Sequence, residues 1–529
     1  MALEQPGQDR LTAVKGFSTS ARDIRIVAAA VLIYLVGLAC FYPADTVIGD
    51  EVNYLEPAYA FANGSTYLEQ IRTLTGEVSC RPSGRYLPGA SAMMASFVAL
   101  FGWRGAYLVP ALAVAVATLC TAFWLRTAGR SPLFALMVLG YPPILVLGRT
   151  AMSDVPSTAF AALGLWLFWA GTAGRRGRWL ASGFVAGLSL SFRETNALLF
   201  APLYVGALIR REHGVGALIV GGIAGSLVRP LLTAIVYGDP LYLFPTSVTF
   251  ALPHVVANLP AYALALLVLV PGGLIGALLY RGERWPEVVA TVVIFCAVYV
   301  SYGYRAEQSG LLKGLILGPR YFAPLTPLLA FVAAETFPRL WTRYRARFGA
   351  SGFGHAVQQL GRLSVRLWLI GVMVLAFIVH PAFAVLSGSS ERFREAIYRH
   401  SEEGSVVVID RLSSKKFVNV LFGQRRQFHF QDLTPDVLDA LLARYGTITI
   451  ALLDRRDSSF WRERELDNAE ILKRLRSQAE FKLLFEEGSG TSERLRIWRV
   501  RPYASDKLNP RDDAAHTPES PDFAIGELR

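Results

Sequence analysis

The chain consists largely of successive apolar runs that are separated by short loops rich in arginine. About 20 apolar residues in an α-helix cross the hydrocarbon core of a bilayer. Of the 529 residues, 53% are hydrophobic and only 18% are charged, which is too apolar for an ordinary soluble enzyme of this length. The pattern predicts an all-α polytopic membrane protein.

The first apolar run covers residues 24–42 and follows Arg22 and Arg25. Residues 1–23 are polar and lack the short apolar core and small-residue cleavage site of a secretory signal, so we expect this run to stay as an anchor. Positive charge on cytoplasmic loops sets the orientation of membrane proteins. It predicts a cytoplasmic segment 1–23 and places the loop 43–86 on the outer face of the cell membrane.

The remaining runs complete a predicted topology of about eleven membrane crossings, with the strongly basic short loops all on the inner side. The placement of basic residues in the inner loops accounts for the net charge of +12, so no nucleic-acid partner is needed to explain it. The segment 87–101 is short for a crossing, and we predict a re-entrant or interfacial helix there. The predicted crossings are 24–42, 107–125, 133–147, 155–173, 179–192, 197–209, 215–236, 261–280, 288–302, 321–337 and 367–383.

The composition changes near residue 387 to that of a soluble domain. Alternating apolar strands and amphipathic helices predict a small α/β domain over 387–502, which follows the transmembrane domain 24–386 and is expected on the periplasmic or extracellular side. Residues 503–529 are charged and poor in large apolar side chains, which predicts a disordered tail. The predicted strands are 406–409, 447–453, 481–485 and 494–500, and the predicted helices are 413–421, 435–445 and 461–478.

Two adjacent carboxylates, Asp50 and Glu51, follow the first crossing directly. By themselves they are compatible with a solvated pair of acids in a loop. A third acid, Asp154, begins a later crossing on the same predicted face, where it could equally serve as a helix cap before Pro156. Two carboxylates on one face can hold a divalent cation or combine a base with a metal ligand.

Several arginines also fall at the outer ends of the predicted crossings. An arginine near the end of a crossing can simply reach the lipid headgroups, and Arg193 could pair locally with Glu194. Arg229 interrupts an apolar run, however, and such a charge marks a functional site or a buried pair. Guanidinium groups bind phosphate in a bidentate manner, so the set suits a phosphorylated lipid. These arginines are Arg149, Arg193, Arg229, Arg305 and Arg320.

Taken in chain order, the motifs of residues 24–340 resemble those of the GT-C superfamily of membrane glycosyltransferases, which use sugars linked to polyprenyl or dolichyl phosphate. The superfamily includes protein O-mannosyltransferases and bacterial lipid A aminoarabinose transferases. Arg193 stands where relatives often have Lys, and the segment 87–101 lacks the Lys-Pro-Pro start of the aminoarabinose transferases. The matching motifs are Gly49-Asp50-Glu51, Arg81-Pro82, Tyr86-Leu87-Pro88-Gly89, Arg149 to Asp154, Ser191 to Thr195, Arg229 with Tyr237 to Leu241, and Arg320-Tyr321.

The resemblance implies an inverting transferase of the inner membrane that moves a sugar from a polyprenyl-phosphate donor to lipid A, a polysaccharide, a glycolipid or a protein. It implies that Asp50 is the catalytic carboxylate and Glu51 its support, and that Asp50 and Asp154 hold Mg²⁺ or Mn²⁺ if a cation is used. The implied substrate-binding residues are Arg81, Arg85, Arg149, Arg193, Arg229, Arg320 and Tyr321.

Two other functions also fit intramembrane arginines and acids on the outer face. A transporter or flippase of a lipid-linked sugar commonly shows paired repeats and broken helices in matching halves, and no such repeat is visible in the sequence. A non-catalytic assembly subunit would tolerate replacement of Asp50 and Asp154. Transfer of labelled sugar by the purified protein separates all three functions.

Overall fold

The computed structural model describes residues 21–71, 78–82, 86–172, 176–242, 250–270, 272–282, 284–303, 318–348, 352–410, 425–455, 459–488 and 493–503. The chain divides into two compact units. One unit comprises residues 1–70, 78–399 and 411–426 and is mainly helical, whereas the other comprises 71–77, 400–410 and 427–529.

The helical unit confirms the predicted all-α membrane architecture. Within the described residues, six helices are long and apolar enough to cross a bilayer, and three shorter apolar helices accompany them. The six are Ala21–Cys40, Trp103–Thr127, Asp154–Thr172, Val215–Tyr237, Leu252–Leu269 and Arg366–Val385. The count of about eleven crossings stays a prediction.

The α-helices of this unit are labelled in chain order. They are α1 (Ala21–Cys40), α2 (Val52–Ala62), α3 (Gly89–Phe101), α4 (Leu108–Thr127), α5 (Leu136–Leu139), α6 (Pro142–Leu147), α7 (Asp154–Thr172), α8 (Arg176–Ser189), α9 (Asn196–Ile209), α10 (Val215–Ser226), α11 (Val228–Tyr237), α12 (Leu252–Leu269), α13 (Gly273–Leu279), α14 (Trp285–Val300), α15 (Thr326–Phe348) and α16 (Gly352–His400).

The predicted crossing 133–147 is not a continuous helix. A 3₁₀ turn over Pro132–Ala135 leads into α5, the chain breaks at Gly140, and α6 starts with Pro142. Proline has no backbone N–H and disfavours helical geometry in the residue before it, so the helix cannot run through this point. Nearly all of α5 and α6 is buried among the other helices.

Two predicted boundaries also differ from the structure. The predicted crossings 215–236 and 261–280 leave residues 237–260 between them, but α12 already begins at Leu252 and contains Pro260 in its interior. The soluble domain was expected from residue 387, but α16 continues to His400. The change in composition therefore marks the end of the apolar part of α16, which lies within Arg366–Val385, and not the end of the helix.

Aromatic and glycine contacts hold the helices together. Trp124 of α4 stacks on Phe331 of α15 with 4.5 Å between ring centroids. Where α8 meets α10, a Cβ on Gly183 would lie 2.1 Å from the carbonyl oxygen of Leu218, so only glycine allows the two backbones this close. The packing fixes the helix ends from which the polar side chains described below project.

The described residues of the segment 43–86 form regular structure. After α1 it forms a 3₁₀ turn over Gly49–Glu51, then α2, and then the strands β1 (Tyr67–Ile71) and β2 (Val78–Pro82), which pair in a two-stranded sheet. Asp50 therefore lies in a short helical turn directly before α2 and not in an extended loop.

The second unit contains the predicted α/β domain. Its sheet has the order β4-β3-β5-β7-β6, in which β3 and β5 are parallel and β7 is antiparallel to both β5 and β6. The predicted helix 413–421 and the tail 504–529 lie outside the described residues. The elements are β3 (Val406–Ile409), β4 (Arg426–His429), α17 (Pro435–Tyr445), β5 (Ile448–Arg455), α18 (Ser459–Leu475), β6 (Ala479–Glu487) and β7 (Glu493–Pro502).

Candidate active site

The two adjacent acids occupy different environments. Glu51 is 1% exposed, and its carboxylate accepts three backbone N–H bonds, from Val47 and Ile48 at 2.8 Å and from Ala151 at 2.9 Å. Burial raises the pKa of Glu51 to about 7, although these three hydrogen bonds oppose the rise. Glu51 thus ties its own turn to the segment before α7, which makes it a structural acid.

Asp50 faces the solvent side of the same turn. Its side chain is 39% exposed, and its carboxylate lies 3.3 Å from a guanidinium nitrogen of Arg320, whose side chain is only 9% exposed. The hydroxyl of Tyr86 also donates to the Asp50 carboxylate, at 3.4 Å. A reachable carboxylate therefore lies beside a buried cation.

A second ion pair lies close to the first. Asp154, the first residue of α7, is fully buried and accepts a hydrogen bond from Arg193 at 2.5 Å. Burial alone would lower the pKa of the Arg320 guanidinium, but Asp154, Tyr321 and Asp50 together outweigh it and raise that pKa well above its ordinary value. The Asp154 carboxylate therefore acts on Arg193 and on Arg320.

Tyr321 organises the two cations. The guanidinium carbon of Arg320 lies 5.2 Å from the centroid of the Tyr321 ring, and that of Arg193 lies 5.4 Å from it. Tyr299 stacks on the Tyr321 ring with centroids 5.0 Å apart, and its hydroxyl donates to the hydroxyl of Thr195 at 2.7 Å. Cation–π contacts of this kind hold a guanidinium without consuming its N–H donors.

The segment 149–154 connects most of these elements. Arg149 is buried and donates to the backbone carbonyls of Phe41, at 3.1 Å, and His380. Ser153 forms a hydrogen bond of 2.9 Å with the hydroxyl of Tyr54 in α2. Because its donors are directed to the C-terminal end of α1 and to the interior of α16, Arg149 holds these two helices together, and the substrate contact predicted for it remains a prediction.

Arg229 belongs to a more open part of the site. Its side chain is 17% exposed and pairs at 2.9 Å with Glu194, which is 51% exposed. The neighbouring Tyr237 of α11 donates to the carbonyl of Tyr86 at 2.7 Å. The alternative of a local Arg193–Glu194 pair is thus wrong, since these adjacent residues pair with Asp154 and Arg229 respectively.

Two predicted substrate-binding residues are not placed by the structure. Arg81 lies in β2, but its side chain is outside the described atoms, and Arg85 lies outside the described residues. The structure instead adds two tyrosines, Tyr54 and Tyr86, whose rings stack with centroids 5.2 Å apart beside Asp50. The spacing of Asp50 and Tyr54 by one helical turn was a signal for this neighbourhood.

The predicted divalent-cation site, Asp50 with Asp154, has few suitable ligands. Each carboxylate already faces a guanidinium, and the described residues contain no group of three His, Cys, Asp or Glu side chains that could hold a metal ion. The described donor set does not fit Mg²⁺ or Mn²⁺ well, because these ions prefer several oxygen ligands. The positive charge at this point comes from Arg193 and Arg320, and a metal requirement stays a prediction.

Comparisons with known proteins bear on this site and fold. Residues 82–229 match the family model described as dolichyl-phosphate-mannose-protein mannosyltransferase (PMT_2). No curated protein matches the sequence. The matched residues include the segment 149–154, Arg193 and Arg229, whereas Asp50 and Arg320 lie outside the match.

Solved structures share the fold over nearly the whole chain. ArnT from Cupriavidus metallidurans bound to undecaprenyl phosphate matches with a TM-score of 0.58 and 15% identity over 91% of this chain and 98% of that one. The same protein in its apo state gives a TM-score of 0.57 at 14% identity, over 90% and 97% of the two chains.

The arabinofuranosyltransferase AftD from Mycobacteria, as the R1389S mutant, matches with a TM-score of 0.51 and 12% identity over 91% of this chain. Only 42% of AftD is covered, so that protein is much longer. The predicted resemblance to the GT-C superfamily agrees with both comparisons: the chain shares the fold of ArnT and AftD over nine tenths of its length, and residues 82–229 match the family model.

Proposed function

We propose that the chain is an inverting glycosyltransferase that moves a sugar from a polyprenyl-phosphate donor to an acceptor on the outer face of the inner membrane. The observation that carries the proposal is the pairing of an accessible carboxylate, Asp50, with a buried cation, Arg320, at 3.3 Å. Transfer of a sugar away from a phosphate requires one group that takes a proton and another that stabilises the departing anion.

The roles follow from exposure. Asp50 accepts the proton of the acceptor hydroxyl as the oxygen attacks the anomeric carbon, and the bond from that carbon to the phosphate oxygen breaks on the opposite side. The leaving group is the polyprenyl phosphate, whose developing negative charge Arg320 stabilises from a water-poor position. Since one displacement occurs, the anomeric configuration inverts and no covalent bond forms between sugar and protein.

The ion pair of Arg193 and Asp154 holds the groups around Arg320 in position before the reaction. Arg193 and Asp154 are buried, at 14% and 0% side-chain exposure, and hold the Tyr321 ring and the 149–154 segment in place around Arg320. Such preorganised charges need no rearrangement when the transition-state charge develops. Arg229, which is more open, is suited to contact the donor phosphate before the reaction.

The fold supports the same class of donor. ArnT, which shares the fold, was solved with undecaprenyl phosphate, and the family model over residues 82–229 is described by dolichyl-phosphate mannose. Both names refer to a long isoprenoid chain that ends in phosphate. We therefore propose a polyprenyl-phosphate sugar as the donor, with an envelope lipid, glycan or protein as the acceptor.

The test uses the purified full chain in nanodiscs with a radiolabelled polyprenyl-phosphate sugar and candidate acceptors. Asp50→Asn should lower the transfer rate by about 10²–10⁴-fold, the range for loss of a general base. Its matched control is Asp439→Asn, an exposed aspartate of α17 in the second unit, which should transfer at the wild-type rate. Full activity of Asp50→Asn would refute the role of Asp50. Translocation of the intact lipid-linked sugar without any transfer would favour the flippase.

A further inference from the structure

The end of α16 beyond its apolar part contacts the loop that leads to Asp50. Arg394 of this helix is 6% exposed, and its Nε lies 3.7 Å from the carboxylate of Asp45. The guanidinium carbon of Arg394 also lies 5.2 Å from the centroid of the Trp103 ring. One turn away, Glu391 pairs with Arg104 at 2.7 Å, so two ion pairs connect this helix end to neighbouring turns.

Asp45 is deeply buried at 1% exposure. One of its oxygens accepts the backbone N–H of Thr46 at 2.7 Å, and the other faces Arg394. A buried carboxylate without a counter-charge is strongly destabilising, because the lost hydration is not replaced. Arg394 supplies a counter-charge to the buried Asp45 carboxylate and so favours its buried position.

The loop 43–51 connects Asp45 to Asp50 through backbone hydrogen bonds. Val47 and Ile48, which follow Asp45, donate their backbone N–H groups to Glu51 at 2.8 Å, and Asp50 lies between them and α2. If Asp45 turned toward water, the backbone of residues 45–48 would move with it. Asp50 would then shift relative to Arg320.

We propose that Arg394 is a positioning residue for Asp50, acting through the buried charge of Asp45. Arg394 contacts neither Asp50 nor Arg320 in the structure, so its effect is on geometry and not on the reacting atoms. A misplacement of about 1 Å at a reacting centre can cost about 10²-fold in rate. As a statement about catalysis, the inference rests on the proposed function.

The activity test separates this role from a general loss of stability. Arg394→Met should lower kcat about 10²-fold while the KM for the donor stays nearly unchanged. The double variant Asp45→Asn/Arg394→Met should recover most of that rate, because the buried carboxylate charge that Arg394 faces is gone as well. Arg394→Lys keeps the positive charge and should lower kcat less than Arg394→Met does. The control is Arg399→Met, an exposed arginine on the same helix, which should behave as wild type.

A second measurement does not depend on sugar transfer. Amide hydrogen exchange of residues 43–51, followed by mass spectrometry in nanodiscs, should be faster in Arg394→Met and return to the wild-type rate in the double variant. Unchanged exchange in Arg394→Met, or a double variant no better than the single one, would overturn the inference. An inactive wild-type protein would instead count against the proposed function, and the exchange result would still decide the role of Arg394.

Discussion

Asp50 and Glu51 are neighbours in the sequence but belong to opposite sides of one 3₁₀ turn. The Glu51 carboxylate is buried and bound by the backbone N–H of Ala151, whereas the Asp50 side chain is 39% exposed beside Arg320. In a 3₁₀ turn consecutive side chains point about a third of a revolution apart, so one acid can face the interior and the other the solvent. Each acid therefore predicts a different experimental phenotype.

Glu51→Gln should destabilise the protein. One amide nitrogen of the new side chain must replace an acceptor oxygen, which leaves at least one buried backbone N–H without its partner, at a cost of about 1–3 kcal/mol. The unfolding midpoint measured by fluorescence in detergent should fall, whereas Asp50→Asn should leave it unchanged. Equal midpoints for Glu51→Gln and wild type would show that these hydrogen bonds do not hold the loop.

The same carboxyl predicts how stability depends on pH. Its pKa is about 7 in the folded chain against an ordinary value of 4.5, so the folded state binds the extra proton between these values. The stabilisation from this proton is fully present below pH 4.5 and is lost as the pH rises through 7. The unfolding midpoint of wild type should thus decline over this window relative to that of Glu51→Gln. A constant difference between the two proteins from pH 5 to pH 8 would contradict the raised pKa.

The Asp154–Arg193 pair should show strong coupling. Because both side chains are buried, removing one leaves an uncompensated charge, and we expect Asp154→Asn or Arg193→Met to cost about 3–5 kcal/mol. The double variant should cost clearly less than the sum of the two single variants. Denaturant unfolding of the two single variants and of the double variant measures the three changes in unfolding free energy.

A more exposed pair supplies the control for that cycle. Arg494 and Glu486 of the second unit are 31% and 28% exposed, and exposed pairs contribute about 1 kcal/mol or less. Glu486→Gln should therefore change the unfolding free energy only slightly. Additive effects at Asp154 and Arg193 would mean that the two charges do not depend on each other.

Arg229 should affect donor binding more than turnover. Loss of one charge-assisted hydrogen bond to phosphate is worth about 1.5–3 kcal/mol, so Arg229→Gln should raise the donor KM about tenfold or more with a small change in kcat. Glu194→Gln removes the negative charge 2.9 Å from the guanidinium, so this variant should keep or lower the donor KM. A fall in kcat at unchanged KM in Arg229→Gln would place Arg229 in the chemical step instead.

The sequence determined the membrane architecture and the general location of the site. Hydrophobic length and the distribution of arginine are local properties, so predicted crossings such as 107–125 and 155–173 agree closely with Leu108–Thr127 and Asp154–Thr172. The prediction of one continuous helix at 133–147 is wrong, because prolines divide this stretch into three short helical segments. The order of motifs also indicated Asp50, Asp154, Arg193 and Arg320 as members of one face.

Only the tertiary structure decided which charge meets which. Arg193 pairs with Asp154 across 39 residues and Arg320 with Asp50 across 270, while the adjacent Arg193 and Glu194 do not pair with each other. The same packing buries Glu51 and leaves Asp50 accessible. The physical reason is that an ion pair depends on the distance and solvent exposure that packed helices impose, and neither quantity is a property of neighbouring residues in the chain.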